Sequence, residues 1–169
     1  MSAELILGNL RGAIEAPAGC GKTQTIVDAL AFSTSKPYLV LTHTTAGVAA
    51  LRKRLTRANV PAKNYVLSTI DGWSVRIASS FSQNCHITSP VENSRAYYPE
   101  LRNVVSHYLA SGSLHEAIKA SYSRLIVDEY QDCNQEQHSI VSSIAECIPT
   151  IVLGDPMQLI FNFRGSIIP

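Results

Sequence analysis

The residues best placed to do chemistry lie between Ala16 and Thr23, which read Ala-Pro-Ala-Gly-Cys-Gly-Lys-Thr. They follow a short run, Gly12 to Glu15, and lead into a helix-like run from Thr25 to Phe32. Strand, glycine loop and helix in that order are the setting of a phosphate-binding loop. Gly19 and Gly21 let the backbone turn sharply and aim several N–H groups at one anion. The helix that starts near Lys22 adds the positive end of its dipole. Ala18, Gly19, Cys20, Gly21, Lys22 and Thr23 are therefore the candidate phosphate cradle. Lys22 can reach β- and γ-phosphates, and the Thr23 hydroxyl can hold Mg²⁺. The pattern usually opens with Gly and here opens with Ala16. A Gly-rich turn before a helix cap is the plainer alternative.

Two further clusters can complete such a site. Leu125-Ile126-Val127 reads as a buried strand ending in Asp128-Glu129. An Asp at such an end can hold Mg²⁺ opposite the loop, and the adjacent Glu129 can act on a water attacking the γ-phosphate. An Asp-Glu pair by itself is also common on solvated surfaces. The other cluster runs from Gly154 to Gly165 and contains Gln158, Phe161 and Phe163. An uncharged Gln can read a γ-phosphate by hydrogen bonding. The two Phe rings offer faces for stacked bases, or pack in an ordinary core.

The remaining elements must position these groups. The expected strands are Ala13 to Glu15, buried on both faces, then Tyr38 to Leu41, Tyr65 to Leu67, Leu125 to Val127 and Thr150 to Leu153. Helices are expected between the strands: one with Ile26, Val27, Leu30 and Ala31 inward, one with Val48, Leu51 and Leu55 inward, and one running through Ile77. Pro99 to Ser111 is the clearest amphipathic stretch, with Pro99 in its first turn and Gly112 at its end. A short helix is expected over Leu114 to Tyr122, and a helix over Gln135 to Cys147 with Ile140, Val141, Ile144 and Ala145 inward. Phe81 to Glu92 reads as an exposed loop, and Met1 to Arg11 as a lead-in. Strands alternating with helices predict an α/β fold with a mainly parallel sheet, whose C-terminal strand ends carry the polar clusters. Arg52, Lys53, Arg54 and Arg57 read as a solvated helix face.

Bulk properties set limits. A chain of 169 residues with 46% hydrophobic and 16% charged content fits one globular domain. A formal net charge of +1 gives no bulk attraction to nucleic acid, so any such site is local. Cys20, Cys85, Cys133 and Cys147 form no C-x-x-C pair, which argues against a zinc site or disulfide framework and for a reducing, cytoplasmic setting. Cys20, near a helix N-terminus, is either a reactive thiol or a small residue at a variable loop position. No apolar run reaches eighteen residues, so no transmembrane helix is expected.

Together, residues 16–23, Leu-Ile-Val-Asp-Glu-Tyr-Gln-Asp at 125–132 and Gly-Asp-Pro-Met-Gln-Leu-Ile-Phe-Asn-Phe-Arg-Gly at 154–165 resemble the first RecA-like domain of UvrD/Rep-type superfamily 1 DNA helicases. Residues 41–55 resemble motif Ia and residues 68–76 motif Ib. The resemblance implies a three-layer P-loop NTPase fold, with the strand of Thr150 to Leu153 between the loop strand and the Asp128 strand. It implies ATP and Mg²⁺ as cofactors. Lys22 and Thr23 would bind phosphate and Mg²⁺, Asp128 would support Mg²⁺, Glu129 would be the catalytic base, and Gln158 would sense the γ-phosphate and couple hydrolysis to DNA. Thr42, His43, Thr44, Thr69, Phe161 and Phe163 would line a single-stranded DNA track.

Several positions depart from the family pattern. His43 stands where a base-stacking Phe is usual, Thr45 and Ala46 replace Asn and Lys, and Ile70 and Asp71 replace Phe-His. No adenine-reading Gln precedes the loop, although Asn9 is there. The resemblance also implies a single domain over 1–169, an accessory insertion reduced to about 82–122, and no second RecA-like domain with its arginine finger. That arginine would come from a partner domain in cis or in trans. The alternative is a stand-alone P-loop nucleotide-binding regulatory module; an unrelated phosphate-loop kinase or GTPase leaves residues 158–165 unexplained.

Overall fold

The structure is a computed structural model that describes residues 2–17 and 19–155. The elements are α1 (Glu4–Leu7), β1 (Arg11–Glu15), α2 (Lys22–Leu30), β2 (Tyr38–Thr42), α3 (Thr45–Arg57), β3 (Tyr65–Thr69), α4 (Ile70–Ser80), α5 (Ser94–Ala110), α6 (His115–Ser121), β4 (Arg124–Asp128), α7 (Gln135–Ala145) and β5 (Thr150–Gly154). Among the described residues the strands form one five-stranded sheet, order β1-β5-β4-β2-β3, in which every pair is parallel. The expected α/β fold is borne out, and β5 does lie between the loop strand β1 and the Asp128 strand β4.

Alternation along the central strands builds two cores. Leu39, Leu41, Leu125, Val127 and Val152 face one side and meet α4, α5, α6 and α7. Tyr38, Val40, Ile126, Ile151 and Leu153 face the other and meet α1, α2 and α3. Successive residues of a strand point to opposite faces, so a continuous apolar run fills both cores at once. β1 departs from expectation. Its residues alternate between exposed and half-buried, because among the described residues it pairs with β5 alone and forms an edge of their sheet.

The lead-in holds a helical turn not foreseen from sequence. Ile6 of α1 is fully buried against the α2 side. The guanidinium of Arg124, itself buried, donates to the carbonyls of Asn9 and Leu7, and the Thr150 amide donates to Leu10 at 2.8 Å. Arg124 thus ties the lead-in to the sheet.

α5 begins five residues earlier than expected, so Pro99 lies inside it. Proline has no N–H to offer the carbonyl of Arg95, a loss that costs about 3 kcal/mol in a helix interior. Burial of Tyr97 and Leu101 on either side of the proline offsets that loss, and the Asn93 carbonyl opens the helix by accepting from the Ala96 and Tyr97 amides. Residues 82–122 pack on the same core as the sheet: Leu101, Val105, Leu109 and Ile118 all join it.

The loop before α5 is pinned by one carboxylate. Glu100 accepts from the Thr88 amide, the Thr88 hydroxyl and the Ser89 amide, each at 2.8 Å. Hydrogen bonds from Ser89 and Thr88, through side chain and backbone, hold its carboxyl down at about 2. A lowered carboxylate stabilises above its unfolded pKa, and that contribution is lost as pH falls through the folded value. The Thr88 and Ser89 amide shifts in NMR spectra are therefore expected to titrate near pH 2 rather than near the ordinary 4.5. Glu100→Gln should abolish that titration; a midpoint near the ordinary value in the parent chain would contradict the pinning.

Candidate nucleotide and single-strand site

The site forms where the strands end. Thr42 lies in register with Asp128 on one side and Thr69 on the other, and Glu15 with Gly154. By the β4–β5 register the Glu15–Gly154 pair lies one residue beyond that row, so the polar clusters gather within two adjacent rows at one end of the sheet. Open parallel sheets bind ligands at this edge.

On β1's side the chain turns through Gly19 and Gly21, with φ of 81° and 85°. A side chain at either would meet open space, so the backbone conformation, not crowding, requires glycine there. Gly21 is the N-cap of α2, which leaves the first amides of that helix available to an anion. Lys22 sends its ammonium back to the carbonyls of Ala16 and Pro17, the latter at 3.1 Å. Ala18 lies outside the described residues.

Across from the loop, β4 delivers Asp128. Burial pushes its carboxyl up, against the Glu129 amide, which donates to it at 3.0 Å, and against the Lys22 ammonium. A buried carboxylate whose charge is costly is a fitting ligand for a hard cation. Glu129 follows with φ 54° and ψ 39°, the left-handed region that non-glycine residues seldom adopt and that marks functional strain. This reversal takes Glu129 off the alternation of β4. The Thr42 hydroxyl donates to Glu129 Oε2 at 3.5 Å.

These groups share one cleft of about 290 Å³ lined by Gly19, Gly21, Lys22, Thr23, Arg54, Asp128, Glu129, Gln131 and Asp155. Loop glycines, hydroxyl, lysine and carboxylates therefore converge, as the sequence suggested. The residues fit a Mg²⁺-bound phosphate chain: a backbone cradle faces a hydroxyl and a carboxylate that both favour a hard cation.

Three residues acquire places that sequence reading missed. Arg54, assigned to a solvated face, lines the cleft from α3. Its signal was only a helical offset from Leu51 and Leu55, the buried residues that orient α3. Gln131, in the Asp-Glu-Tyr-Gln-Asp run, is buried; it accepts from the Asp155 amide at 3.1 Å and donates to Asp132 at 3.2 Å. It thereby fixes the chain at Asp155, just past the end of β5. Gly47 presses on the centre of the site. A Cβ there would stand 2.5 Å from Thr42 Oγ1 and 3.2 Å from Glu129 Oε2. Gly47→Ala is expected to destabilise the fold by about 1–3 kcal/mol through overpacking, measured by chemical denaturation; an unchanged midpoint would contradict this close approach.

The candidate strand-contacting residues divide. Thr42 is 1% exposed and faces Glu129, so its side chain is closed to a strand. Thr44 is exposed and caps α3, accepting from the Gly47 amide at 3.0 Å. Thr69 caps α4, accepting from the Gly72 amide at 2.9 Å. Two helix N-termini therefore lie side by side at the ends of β2 and β3. Each capping hydroxyl still has its own hydrogen to donate. His43 is half-buried, with Nδ1 3.1 Å from Gln137 Oε1. Asp71, the anion in the motif Ib region, is occupied: Arg102 of α5 grips it at 2.7 and 2.6 Å. Gln158, Phe161 and Phe163 lie outside the described residues. All four cysteines are free, with Cys20 exposed. Among the described residues no helix is long and apolar enough to cross a membrane.

Comparison with known proteins finds similarity to helicases. Residues 93–169 match the UvrD/REP helicase N-terminal domain family. The chain is 30% identical over 69 residues to an ATP-dependent helicase/nuclease subunit of Leuconostoc mesenteroides, covering 41% of this chain and 6% of that protein. It is 28% identical over 107 residues to a probable DNA helicase of Mycoplasma pneumoniae, covering 62% and 20%. It is 38% identical over 58 residues to the RecBCD enzyme subunit RecB of Haemophilus influenzae, covering 31% and 5%. The matches thus span a fifth or less of each of these relatives' own length.

Proposed function

From its place among UvrD/Rep-type helicase N-terminal domains, we propose that this chain is the ATP-binding core of a DNA helicase motor. It binds Mg-ATP in the strand-end cleft and single-stranded DNA along the adjoining helix N-termini. The observation that carries this reading is the convergence of Gly19, Gly21, Lys22 and Thr23 with Asp128 and Glu129 on one cleft.

The chemistry follows from the residues. Loop and α2 amides receive the β- and γ-phosphates, and Lys22 exchanges the Ala16 and Pro17 carbonyls for phosphate oxygens. Thr23 and Asp128 would hold Mg²⁺, whose charge, when bound, offsets that of the phosphate oxygens. Glu129 takes the proton of the attacking water, and the Thr42 hydroxyl steadies its carboxylate. Thr42 thereby belongs to hydrolysis rather than to the strand track. Gln131 holds the Asp155 amide at the end of β5, and Gln158, further along the chain, would sense the γ-phosphate. Thr44 and Thr69 donate their hydroxyls to strand phosphates beside two positive helix ends, and His43, Phe161 and Phe163 would meet the bases.

A second RecA-like domain, in cis or in trans, supplies the arginine finger in this account. The purified chain is then expected to hydrolyse ATP about 10³–10⁵ times more slowly than a motor with that arginine in place, and not to unwind DNA. Steady-state phosphate release with and without single-stranded DNA tests this. Robust DNA-stimulated turnover that Lys22→Ala abolishes would overturn the need for a second domain. The position of Arg54 favours one other reading, a stand-alone P-loop regulatory module with a cation of its own. Stimulation by a partner protein and not by DNA would select it.

A further inference from the structure

Gln137, on the first turn of α7, is 1% exposed, and two contacts fix which way its amide faces. The Asn134 amide donates to its oxygen at 3.2 Å, half of the capping box that starts α7. A backbone N–H can only donate, so the atom facing it is the oxygen. On the other side its nitrogen donates to Asp71 Oδ1 at 3.2 Å. Asp71 is paired in a two-pronged contact with Arg102, and an ionised carboxylate only accepts. Both contacts demand the same orientation.

That orientation decides the state of His43. Its Nδ1 is 3.1 Å from the Gln137 oxygen, which has no hydrogen to give. Nδ1 must therefore carry the hydrogen, and in the neutral ring Nε2 is then a bare acceptor. Arg102, Asp71, Gln137 and His43 form a chain from α5 through α4 and α7 to the end of β2.

We propose that His43 discriminates among nucleobases, its Nε2 held by this chain as a fixed acceptor for exocyclic amino groups of a bound single strand. This rests on the strand-track reading of His43 given above. Cytosine, adenine and guanine each carry an amino donor. Thymine offers only an imino N–H flanked by two carbonyl oxygens, which repel an acceptor nitrogen. Gln137 and Asp71 act as positioning residues; they set the tautomer without touching the strand.

Two measurements on the full chain test the proposal. Long-range ¹H–¹⁵N correlation spectra of uniformly labelled protein report the His43 tautomer, expected to be Nδ1–H. Fluorescence anisotropy with oligo(dC) and oligo(dT) of equal length at one salt concentration reports readout; both are pyrimidine strands. Oligo(dC) is expected to bind about threefold to tenfold more tightly, the range of one hydrogen bond. His43→Phe keeps a stacking ring and should bring that ratio to near one. Gln137→Met frees the ring and should lower the ratio together with the Nδ1–H population. An Nε2–H tautomer in the parent chain, or a ratio that survives His43→Phe, overturns the proposal. Equal binding of both strands by the parent chain overturns amino-group readout and leaves strand binding standing. Binding of neither overturns both.

Discussion

Replacing Lys22 with alanine is expected to weaken Mg-ATP binding by about a hundredfold, the combined effect of two charge-assisted hydrogen bonds. Lys22 opens α2 and already satisfies two loop carbonyls, so its ammonium lies at the cleft whether or not phosphate is held. In the alanine variant the carbonyl of exposed Pro17 turns to water, the carbonyl of buried Ala16 loses its ammonium partner, and the glycine conformations that shape the cradle remain. The loss should therefore appear in affinity and not in folding. Isothermal titration calorimetry with Mg-ATP, beside circular dichroism to establish the fold, measures it. Undiminished affinity in a folded variant would show that the nucleotide is not held by this loop.

Replacing Glu129 with glutamine is expected to leave Mg-ATP affinity within about threefold while lowering single-turnover hydrolysis by about 10²–10⁴, the range of a positioned general base. Gln is isosteric and can still accept from the Thr42 hydroxyl, so the local contacts survive. The left-handed backbone at this position supports assigning the role to Glu129 rather than Asp128. Asp128 continues β4 and receives the Glu129 amide, which suits a fixed ligand. Glu129 leaves the strand direction, which suits a group that must meet water. Single-turnover conditions, with enzyme in excess over labelled ATP, keep the slow parent rate measurable. Equal hydrolysis by both proteins would remove Glu129 from the chemistry.

What the sequence made legible was local. The glycine loop, the apolar runs with carboxylates at their ends and the order of strands and helices are set by neighbours a few residues apart. The structure returned them with small shifts of boundary. β1 was read as buried because its composition resembles a central strand; its edge position depends on which strands pair with it, a tertiary fact. The start of α5 was read from Pro99 because proline favours a first turn, but the burial of Tyr97 and Leu101 carried the helix across it.

Within the site, Thr42 and Thr44 stand two residues apart and look alike in sequence. Alternation at the strand end sends Thr42 inward toward Glu129, and the helix start leaves Thr44 at the surface. Arg54 joins the cleft only because α3 packs beside α2 on one face of the sheet, with Leu51 and Leu55 inward. Asp71 stood out in sequence only as a departure from the family's Phe-His. Its partners Arg102 and Gln137 are 31 and 66 residues distant, beyond any periodicity or motif spacing. Residues 82–122 looked like a shortened insertion, and that stretch supplies Arg102, the arginine that engages Asp71.

The most direct test of the central claim is a crystal structure of the chain with Mg²⁺ and a non-hydrolysable ATP analogue. The account predicts the triphosphate on the amides of Gly19 to Thr23, Mg²⁺ between the Thr23 hydroxyl and Asp128, and the Lys22 ammonium moved from the Ala16 and Pro17 carbonyls to phosphate oxygens. A nucleotide bound elsewhere, or none bound at saturating concentration with Lys22 still on those carbonyls, would contradict it.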